Sequence, residues 1–191
     1  MAFKILFVNV FLKMERLLVK TAIFLDRDGV INEVLSERVK FVNRPEDFYL
    51  LPGAGEAIHL LNQSQYPVFV VTNQGGVGLG YMKEQALLAI HEHMRSELAA
   101  YNAEITDISY CPHRPNAGCH CRKPNAGMLE SLAKEYDISL SKSYMVGDRL
   151  PDIEAGKKAG TKTVLIGEKE DVKADEYFVD LLAFAKWITN C

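Results

Sequence analysis

The sequence has no large excess of charge of either sign. Its 191 residues include 22 lysines and arginines against 25 aspartates and glutamates, which gives a net charge of −3. Proteins that bind nucleic acid or anionic membranes through a broad surface usually carry a strong basic excess. We therefore expect neither nucleic acid nor membrane as a partner, and we expect basic residues to act at individual sites.

Long apolar runs are also lacking. The apolar run at residues 5–12 is interrupted by Asn9 and is too short to span a bilayer, and no small-x-small cleavage site precedes Thr21. Residues 1–20 are therefore expected to be an N-terminal extension, either an added edge strand or a segment ahead of a true start at Met14. No repeat, low-complexity tract or linker divides the rest, so residues 21–191 are expected to form a single domain. Because an export signal is not clear, we expect the protein in the cytoplasm.

Cysteine is scarce, with four residues in the chain, and three of them fall within eleven residues. The crowding favours a metal site over a disulfide framework, and we interpret the fourth, Cys191, as an incidental terminal thiol. Three thiolates and one imidazole fill a closed tetrahedral Zn²⁺ site, which would be structural. His120 in place of His113, and reduced cysteines without a metal, are the alternatives. The predicted zinc ligands are Cys111, His113, Cys119 and Cys121.

What the sequence does contain is a regular alternation of strand and helix patterns. Short apolar runs predict strands, and apolar residues three or four positions apart predict helices. The predicted strands end near residues 25, 71, 110, 146 and 166, and helices are predicted at 53–65, 83–102, 128–136, 153–159 and 175–188. His91 and His93 are expected on the solvated side of their helix. The alternation predicts an α/β fold with a doubly wound parallel sheet, and the connections leave little room for a separate cap domain.

Polar residues follow several of the apolar strands at the point where each strand ends. Asp26 and Asp28 follow the first strand, Thr72 the second and Asp148 the fourth. The carboxyl ends of parallel strands share the edge where ligands bind, so these residues should converge. Carboxylates suit Mg²⁺ bound together with phosphate, and a hydroxyl and Lys123 suit a phosphoryl group in transfer. Each residue also has a purely structural interpretation, such as Asp148 capping the next helix.

Four ordered motifs give the chain a resemblance to phosphatases of the haloacid dehalogenase superfamily. They are Asp26-Arg27-Asp28-Gly29-Val30, Val71-Thr72-Asn73, Lys123 within Cys121-Arg122-Lys123-Pro124, and Gly147-Asp148 with Asp152. The resemblance runs from about residue 21 to residue 167. It implies a Rossmann-like haloacid dehalogenase fold, here with a zinc-stapled loop in front of Arg122 and Lys123.

The resemblance also implies a role for each motif residue. Asp26 would be the nucleophile that forms an aspartyl-phosphate, and Asp28 would protonate the leaving oxygen and then deprotonate the attacking water. Thr72 and Lys123 would hold the transferring phosphoryl group. Mg²⁺ would be bound by Asp26, the backbone carbonyl of Asp28, and Asp148, with Asp152 as a supporting partner of the metal or of Lys123. The implied substrate contacts are Asn73, Gln74, Gly75, Arg122 and Arg149.

The zinc loop narrows the resemblance to the branch that contains D-glycero-D-manno-heptose 1,7-bisphosphate 7-phosphatase and histidinol-phosphatase. Phe-Leu-Asp-Arg-Asp-Gly and Cys-Arg-Lys-Pro carry this resemblance. It favours an enzyme that removes the 7-phosphate of the heptose bisphosphate, a small phosphorylated metabolite. We expect the protein to be a monomer. Histidinol phosphate is the alternative substrate, which the short zinc loop favours. A zinc-stapled binding module without turnover is a more distant alternative.

Overall fold

The computed structural model describes residues 20–167 and 172–190. These residues form one six-stranded, all-parallel sheet with the strand order β3-β2-β1-β4-β5-β6. The predicted α/β fold is thus confirmed. The extension predicted at residues 1–20 lies, apart from Lys20, outside the described residues. The strands are β1 (Ile23–Leu25), β2 (Val68–Asn73), β3 (Asp107–Cys111), β4 (Tyr144–Gly147), β5 (Lys162–Ile166) and β6 (Glu176–Phe178).

Helices lie on both faces of the sheet. In the described ranges they are α1 (Ala54–Gln63), α2 (Gly75–Gly78), α3 (Glu84–Ala99), α4 (Gly127–Tyr136), α5 (Leu150–Ala159) and α6 (Leu181–Thr189). Helices α1, α3 and α6 share one apolar core with the sheet, and α4 and α5 share the other. None of the helices in this part of the chain is long and apolar enough to cross a membrane.

The central strand β1 is apolar throughout because both of its faces are covered. Ile23 and Leu25 belong to the core under α1, α3 and α6, whereas Phe24 belongs to the core under α4 and α5. There Phe24 stacks on Phe69, with 5.4 Å between the ring centroids. A shift of one residue would move each side chain to the wrong face, so this packing fixes the register of β1 and the position of Asp26 just beyond it.

The C-terminal region differs from the prediction of one helix at 175–188. Residues Glu176–Phe178 form the sixth strand, β6, which pairs with β5, and helix α6 begins only at Leu181. The reason is a local cap, because the side chain of Asp180 accepts a hydrogen bond of 2.7 Å from the backbone N–H of Ala183. A capping aspartate holds the residue before a helix in extended conformation, which separates the strand from the helix.

The prediction that His91 lies on the solvated side of its helix was wrong. His91 is 4% exposed, and its ring lies 5.6 Å from that of Tyr110, measured between centroids. It is adjacent to Ile90 and one turn beyond Leu87, both fully buried, so it belongs to the apolar stripe of α3. His93 is half-buried, and its ring meets Phe48 edge-on.

Because His91 is buried and forms no ion pair with a carboxylate among the described residues, the fold should be sensitive to acid. Burial lowers the pKa of His91 to about 3, with Arg27 and Arg95 lowering it further and Asp28 opposing them. Its pKa in the unfolded chain is about 6.5, so the unfolded state binds the extra proton as the pH falls below that value. Folding stability should therefore fall by about 1.4 kcal/mol per pH unit between roughly pH 6 and pH 4 through this residue.

His91→Gln should remove this part of the acid sensitivity. Urea unfolding at several pH values would measure it, with His93→Gln on the same helix as the matched control. We expect the slope of unfolding free energy against pH to be shallower only in His91→Gln. Equal slopes in the two variants would contradict a neutral, buried His91.

Candidate active site

The polar residues that follow β1, β2 and β4 meet at the carboxyl edge of the sheet. Strand β1 lies between β2 and β4, so Asp26 is placed between Thr72 and Asp148. A cleft of about 760 Å³ opens over this edge. Its lining includes the side chains predicted for catalysis, together with Arg122, Arg149 and Asp152. The structure therefore brings together residues that are more than a hundred positions apart in the sequence.

Lys123 lies at the centre of this edge and is almost completely buried. Its Nζ is 2.9 Å from Asp26 Oδ1 and 2.6 Å from Asp152 Oδ1, and it donates a 2.7 Å hydrogen bond to the carbonyl of Val71. Burial alone would lower the pKa of Lys123, but the carboxylates of Asp152 and Asp26 outweigh it and raise the pKa. The amine is therefore a fixed cation in contact with Asp26.

The carboxylates around Lys123 carry more negative charge than this one cation offsets. Burial raises the pKa of Asp26 to about 7 in spite of Lys123, and Asp152 and Asp28 raise it further. Burial, followed by repulsion from Asp152, raises the pKa of Asp148 to about 6. Such a group of acids favours the binding of a further cation.

The geometry also fits a divalent cation. Asp26, Asp148 and Asp152 each offer an oxygen, and these oxygens lie within 4.8 Å of one another. Asp148 Oδ1 is buried and has no hydrogen-bond partner among the described residues. A buried carboxylate oxygen without a partner is costly, and an oxygen-liganded ion such as Mg²⁺ would satisfy it.

Gly29 is the residue that lets the loop after β1 approach Asp148 so closely. A Cβ atom at this position would lie 2.3 Å from Asp148 Oδ2, and the residue has a φ of +90°. Both the contact and the backbone conformation require glycine. The glycine of the first motif is therefore needed for the shape of the acidic site.

Asp28 faces a different set of partners from the other acids. Arg27 donates from Nη2 to both of its carboxylate oxygens, at 2.8 and 3.0 Å, and Asn32 Nδ2 donates to Oδ1 at 3.0 Å. Gln74 Nε2 donates to Oδ2 at 2.9 Å. Burial alone would raise the pKa of Asp28, but Arg27, Asn32 and Gln74 outweigh it and lower the pKa. Asp28 is thus ionised and held from three sides.

The predicted substrate contacts divide into two groups. Arg122 and Arg149 line the cleft, and Arg149 Nε lies 3.4 Å from Asp148 Oδ2. By contrast, the amide of Asn73 is engaged with the backbone of Lys123, donating to its carbonyl at 2.9 Å and accepting from its N–H at 3.0 Å. Asn73 therefore positions Lys123. Gln74 bridges protein groups, and Gly75 lets Arg122 Nη1 approach, since a Cβ there would lie 3.1 Å from it.

The cysteine loop places its predicted ligands at distances suited to zinc. Cys111 Sγ lies 3.6 Å from Cys119 Sγ, and His113 Nδ1 lies 3.5 Å from Cys111 Sγ and 3.2 Å from Cys121 Sγ. A tetrahedral ion with bonds of about 2.3 Å would hold sulfur atoms about 3.8 Å apart. Burial and the two neighbouring thiols raise the pKa of Cys121 to about 12, so the cluster would need a cation to carry three thiolates. These four residues could hold Zn²⁺.

His120, the alternative ligand, faces away from this cluster. Its Nε2 lies 3.1 Å from Glu130 Oε2 on helix α4. The structure therefore favours His113. The backbone carbonyl of His113 also accepts a 3.2 Å hydrogen bond from Arg122 Nη1, so the cysteine loop contacts the arginine at the cleft directly.

Sequence reasoning missed the apolar wall of the cleft and the buried Arg27. The wall includes Phe41, which is 63% exposed, and Tyr81, which is 74% exposed. These residues lie in loops without periodic pattern, and no motif marks them. Arg27 was visible within the first motif, but only the fold shows that it turns inward onto Asp28.

Comparison with known proteins finds relatives of this chain among phosphatases. A family model described as HAD-hydrolase-like matches residues 120–180. D-glycero-beta-D-manno-heptose-1,7-bisphosphate 7-phosphatase of Pseudomonas putida is 40% identical over 144 residues, which are 75% of this chain and 81% of that protein. D-glycero-alpha-D-manno-heptose-1,7-bisphosphate 7-phosphatase of Campylobacter jejuni is 38% identical over 154 residues, which are 81% of this chain and 86% of that protein.

A solved structure is similar over nearly the whole fold. It is the crystal structure of D,D-heptose 1,7-bisphosphate phosphatase from B. bronchiseptica, complexed with magnesium and phosphate. Its TM-score is 0.81 at 35% sequence identity, and the match covers 89% of this chain and 98% of that one. The chain therefore belongs to the haloacid dehalogenase (HAD)-like hydrolases and is a phosphatase of that family.

Proposed function

We propose that this phosphatase removes the 7-phosphate of D-glycero-D-manno-heptose 1,7-bisphosphate by way of a phosphoryl group carried on Asp26. The observation that carries the proposal is the pairing of Asp26 with the buried cation of Lys123, 2.9 Å away, beside an acidic cluster at the sheet edge. A nucleophilic carboxylate needs such a neighbour, because the phosphoryl group it attacks is itself negatively charged.

The proposed reaction has two steps. First, a carboxylate oxygen of Asp26 attacks phosphorus, the bond from phosphorus to the sugar oxygen breaks, and Asp28 gives that oxygen a proton. Second, Asp28 takes a proton from a water molecule, which attacks phosphorus and releases inorganic phosphate from Asp26. Lys123 and the hydroxyl of Thr72 hold the phosphoryl oxygens throughout.

Asp28 must change its protonation state during this cycle. In the free site Arg27 and its other partners keep its pKa low. A phosphate dianion that enters next to it would raise that pKa, because two adjacent negative charges favour protonation. Substrate binding would thus favour protonation of Asp28, and the departing sugar alkoxide would then take that proton. The same carboxylate is then ready to act as the base.

Mg²⁺ is the ion that suits the acidic cluster, and the similar B. bronchiseptica enzyme has magnesium and phosphate bound. Asp26, Asp148 and the backbone carbonyl of Asp28 would hold it, with Asp152 retained by Lys123. When bound, it would neutralise charge on the transferring phosphoryl group. Chelation should therefore stop turnover.

The substrate assignment rests on the relatives and on the cations at the mouth of the cleft. Relatives from P. putida and C. jejuni are both named as heptose bisphosphate phosphatases, one for each anomer. Arg122 and Arg149 also line the cleft and could bind the phosphate that is not cleaved. Histidinol phosphate has no second phosphate for them, and it is not favoured.

Phosphate release from both anomers of heptose 1,7-bisphosphate and from histidinol phosphate, with and without Mg²⁺, tests the proposal. Phosphorus NMR of the product would identify which phosphate leaves. We expect Mg²⁺-dependent loss of the 7-phosphate and a higher kcat/KM on at least one heptose anomer. A preference for histidinol phosphate, or loss of the 1-phosphate, would contradict the substrate assignment.

Arg122→Ala should discriminate between substrates with and without a second anion. A charge-assisted arginine contact to phosphate is worth about 2–3 kcal/mol, so we expect kcat/KM on the heptose bisphosphate to fall on the order of 30- to 160-fold. On an aryl phosphate, which has one anion, the fall should be several times smaller. Lys142→Ala, an exposed cation away from the cleft, serves as the control. Equal losses on both substrates would contradict a contact with the second phosphate.

The cysteine cluster is proposed to hold one structural Zn²⁺ per chain. Elemental analysis of purified, metal-replete protein should find one equivalent of zinc, and Cys119→Ser should lose it, with Cys191→Ser as the control. Because His113 holds Arg122 through its carbonyl, loss of zinc should weaken binding of the bisphosphate more than of an aryl phosphate. Fully active protein without zinc would contradict the proposal.

A further inference from the structure

Gln74 lies between the proposed acid and the proposed phosphate-binding hydroxyl. Its Nε2 is 2.9 Å from Asp28 Oδ2 and 2.9 Å from Thr72 Oγ1. Gln74 is 4% exposed and Thr72 is 1% exposed, so water cannot readily replace either contact. The backbone N–H of Gln74 donates to the carbonyl of Cys111 at 2.8 Å, which anchors the residue independently of its side chain.

The hydrogens of this bridge can be assigned from chemistry. The carboxylate oxygen Asp28 Oδ2 accepts from the amide of Gln74, and only the nitrogen of that amide can donate, so the nitrogen faces Asp28. That nitrogen carries two hydrogens, and the second is directed at Thr72 Oγ1. Thr72 is then an acceptor towards Gln74, and its own hydroxyl hydrogen is left for a group in the cleft. The bridge thus presents the hydroxyl as a donor where a phosphoryl oxygen would bind.

We propose that Gln74 is a positioning residue that ties the proton-transfer group Asp28 to the phosphate-binding group Thr72. The inference deepens the proposed mechanism and rests on the acid role given there to Asp28. Gln74 keeps the carboxylate at a fixed distance from the hydroxyl, so the acid faces the leaving oxygen while Thr72 faces the phosphoryl group. In this proposal Gln74 acts on substrate through Asp28 and Thr72.

The bridge should control the step in which the leaving oxygen receives its proton. An alkyl or sugar alkoxide leaves poorly and depends on the acid, whereas a nitrophenolate leaves without it. Loss of the amide hydrogens should release Asp28 from its position. The effect should therefore grow with the pKa of the leaving alcohol, whereas loss of the Thr72 orientation alone would lower all rates together.

Gln74→Met, which keeps the length of the side chain without its hydrogens, tests this with a series of simple phosphates. The series runs from nitrophenyl phosphate through phenyl phosphate to an alkyl phosphate, so it does not depend on the heptose assignment. We expect kcat/KM to fall on the order of 100-fold for the alkyl phosphate and less than about 10-fold for nitrophenyl phosphate. Gln85→Met, at an exposed position on α3, is the control and should leave the series unchanged.

Gln74→Glu is a second variant, because it keeps the shape of the side chain and the backbone hydrogen bond while placing an acceptor beside Asp28. It should make kcat/KM depend more steeply on the pKa of the leaving alcohol, as Gln74→Met does. Thermal unfolding of both variants shows whether they fold. In the Asp28→Asn background, Gln74→Met should lower kcat/KM for nitrophenyl phosphate. It should no longer change how kcat/KM depends on the pKa of the leaving alcohol. An equal loss on every phosphate, or the same slope change without Asp28, would overturn the proposal.

Discussion

Asp26→Asn should abolish phosphate release from every substrate. An amide cannot form the acyl phosphate, and loss of a nucleophile lowers kcat on the order of 10⁵-fold or more in enzymes that form covalent intermediates. The substitution also leaves Lys123 with one carboxylate partner fewer, Asp152 remaining at 2.6 Å. Phosphate release at saturating Mg²⁺ measures the effect, with the wild-type enzyme diluted to the detection limit as the reference.

The fold of Asp26→Asn should be intact. Burial already raises the pKa of Asp26 to about 7, so a neutral side chain at this position is tolerated electrostatically. The melting temperature should therefore stay close to that of the wild type. Asp137→Asn, at an exposed position, is the matched control and should keep full activity. Turnover by Asp26→Asn above the level of contaminating phosphatases would exclude Asp26 as the nucleophile.

Lys123→Met should damage both stability and catalysis. Without the cation, Asp26 and Asp152 would face each other in a buried site, and removal of one partner from a buried ion pair costs about 3–5 kcal/mol. The same change removes the group that holds the phosphoryl oxygens, so kcat should fall on the order of 10³-fold. Urea unfolding and steady-state kinetics at the same pH would measure the two effects.

The loss of folding stability in Lys123→Met should depend on pH. Lys123 lowers the pKa of Asp26, which burial has already raised to about 7, so loss of the cation raises that pKa further. The folded variant therefore binds more protons than the folded wild type above about pH 7. The stability deficit relative to wild type should therefore shrink as the pH falls from about 8 to about 6. Lys134→Met, at an exposed position on α4, is the control. Unchanged stability in Lys123→Met would contradict the central ion pair.

The sequence predicted the sheet and the place of the site because both depend on local patterns. Apolar runs that end in acids mark strands such as β1 and β4, and the rule for parallel sheets then brings Asp26 and Asp148 together. Helix α3 could be located from the spacing of its apolar residues. Strand β6 could not, because its three residues are too short for a period and adjoin the apolar pattern of α6.

The sequence could not predict which groups the side chains of the site contact. A motif indicates that Asp28 and Gln74 lie near the site, but whether each faces substrate or another side chain depends on rotamers in the folded protein. Arg27 likewise turns onto Asp28 rather than to solvent. The helical period does not decide the side of His91, because its place beside Ile90 is equally compatible with burial.

The most direct test of this account is to trap the phosphorylated enzyme during turnover. Wild-type protein would be mixed with substrate and Mg²⁺, quenched in acid within one turnover, digested and analysed by mass spectrometry. We expect one phosphoryl group on the peptide that contains Asp26, absent from Asp26→Asn and increased when Asp28→Asn slows hydrolysis of the intermediate on an aryl phosphate. Turnover with no phosphorylated peptide, or a phosphoryl group on another residue, would contradict the mechanism.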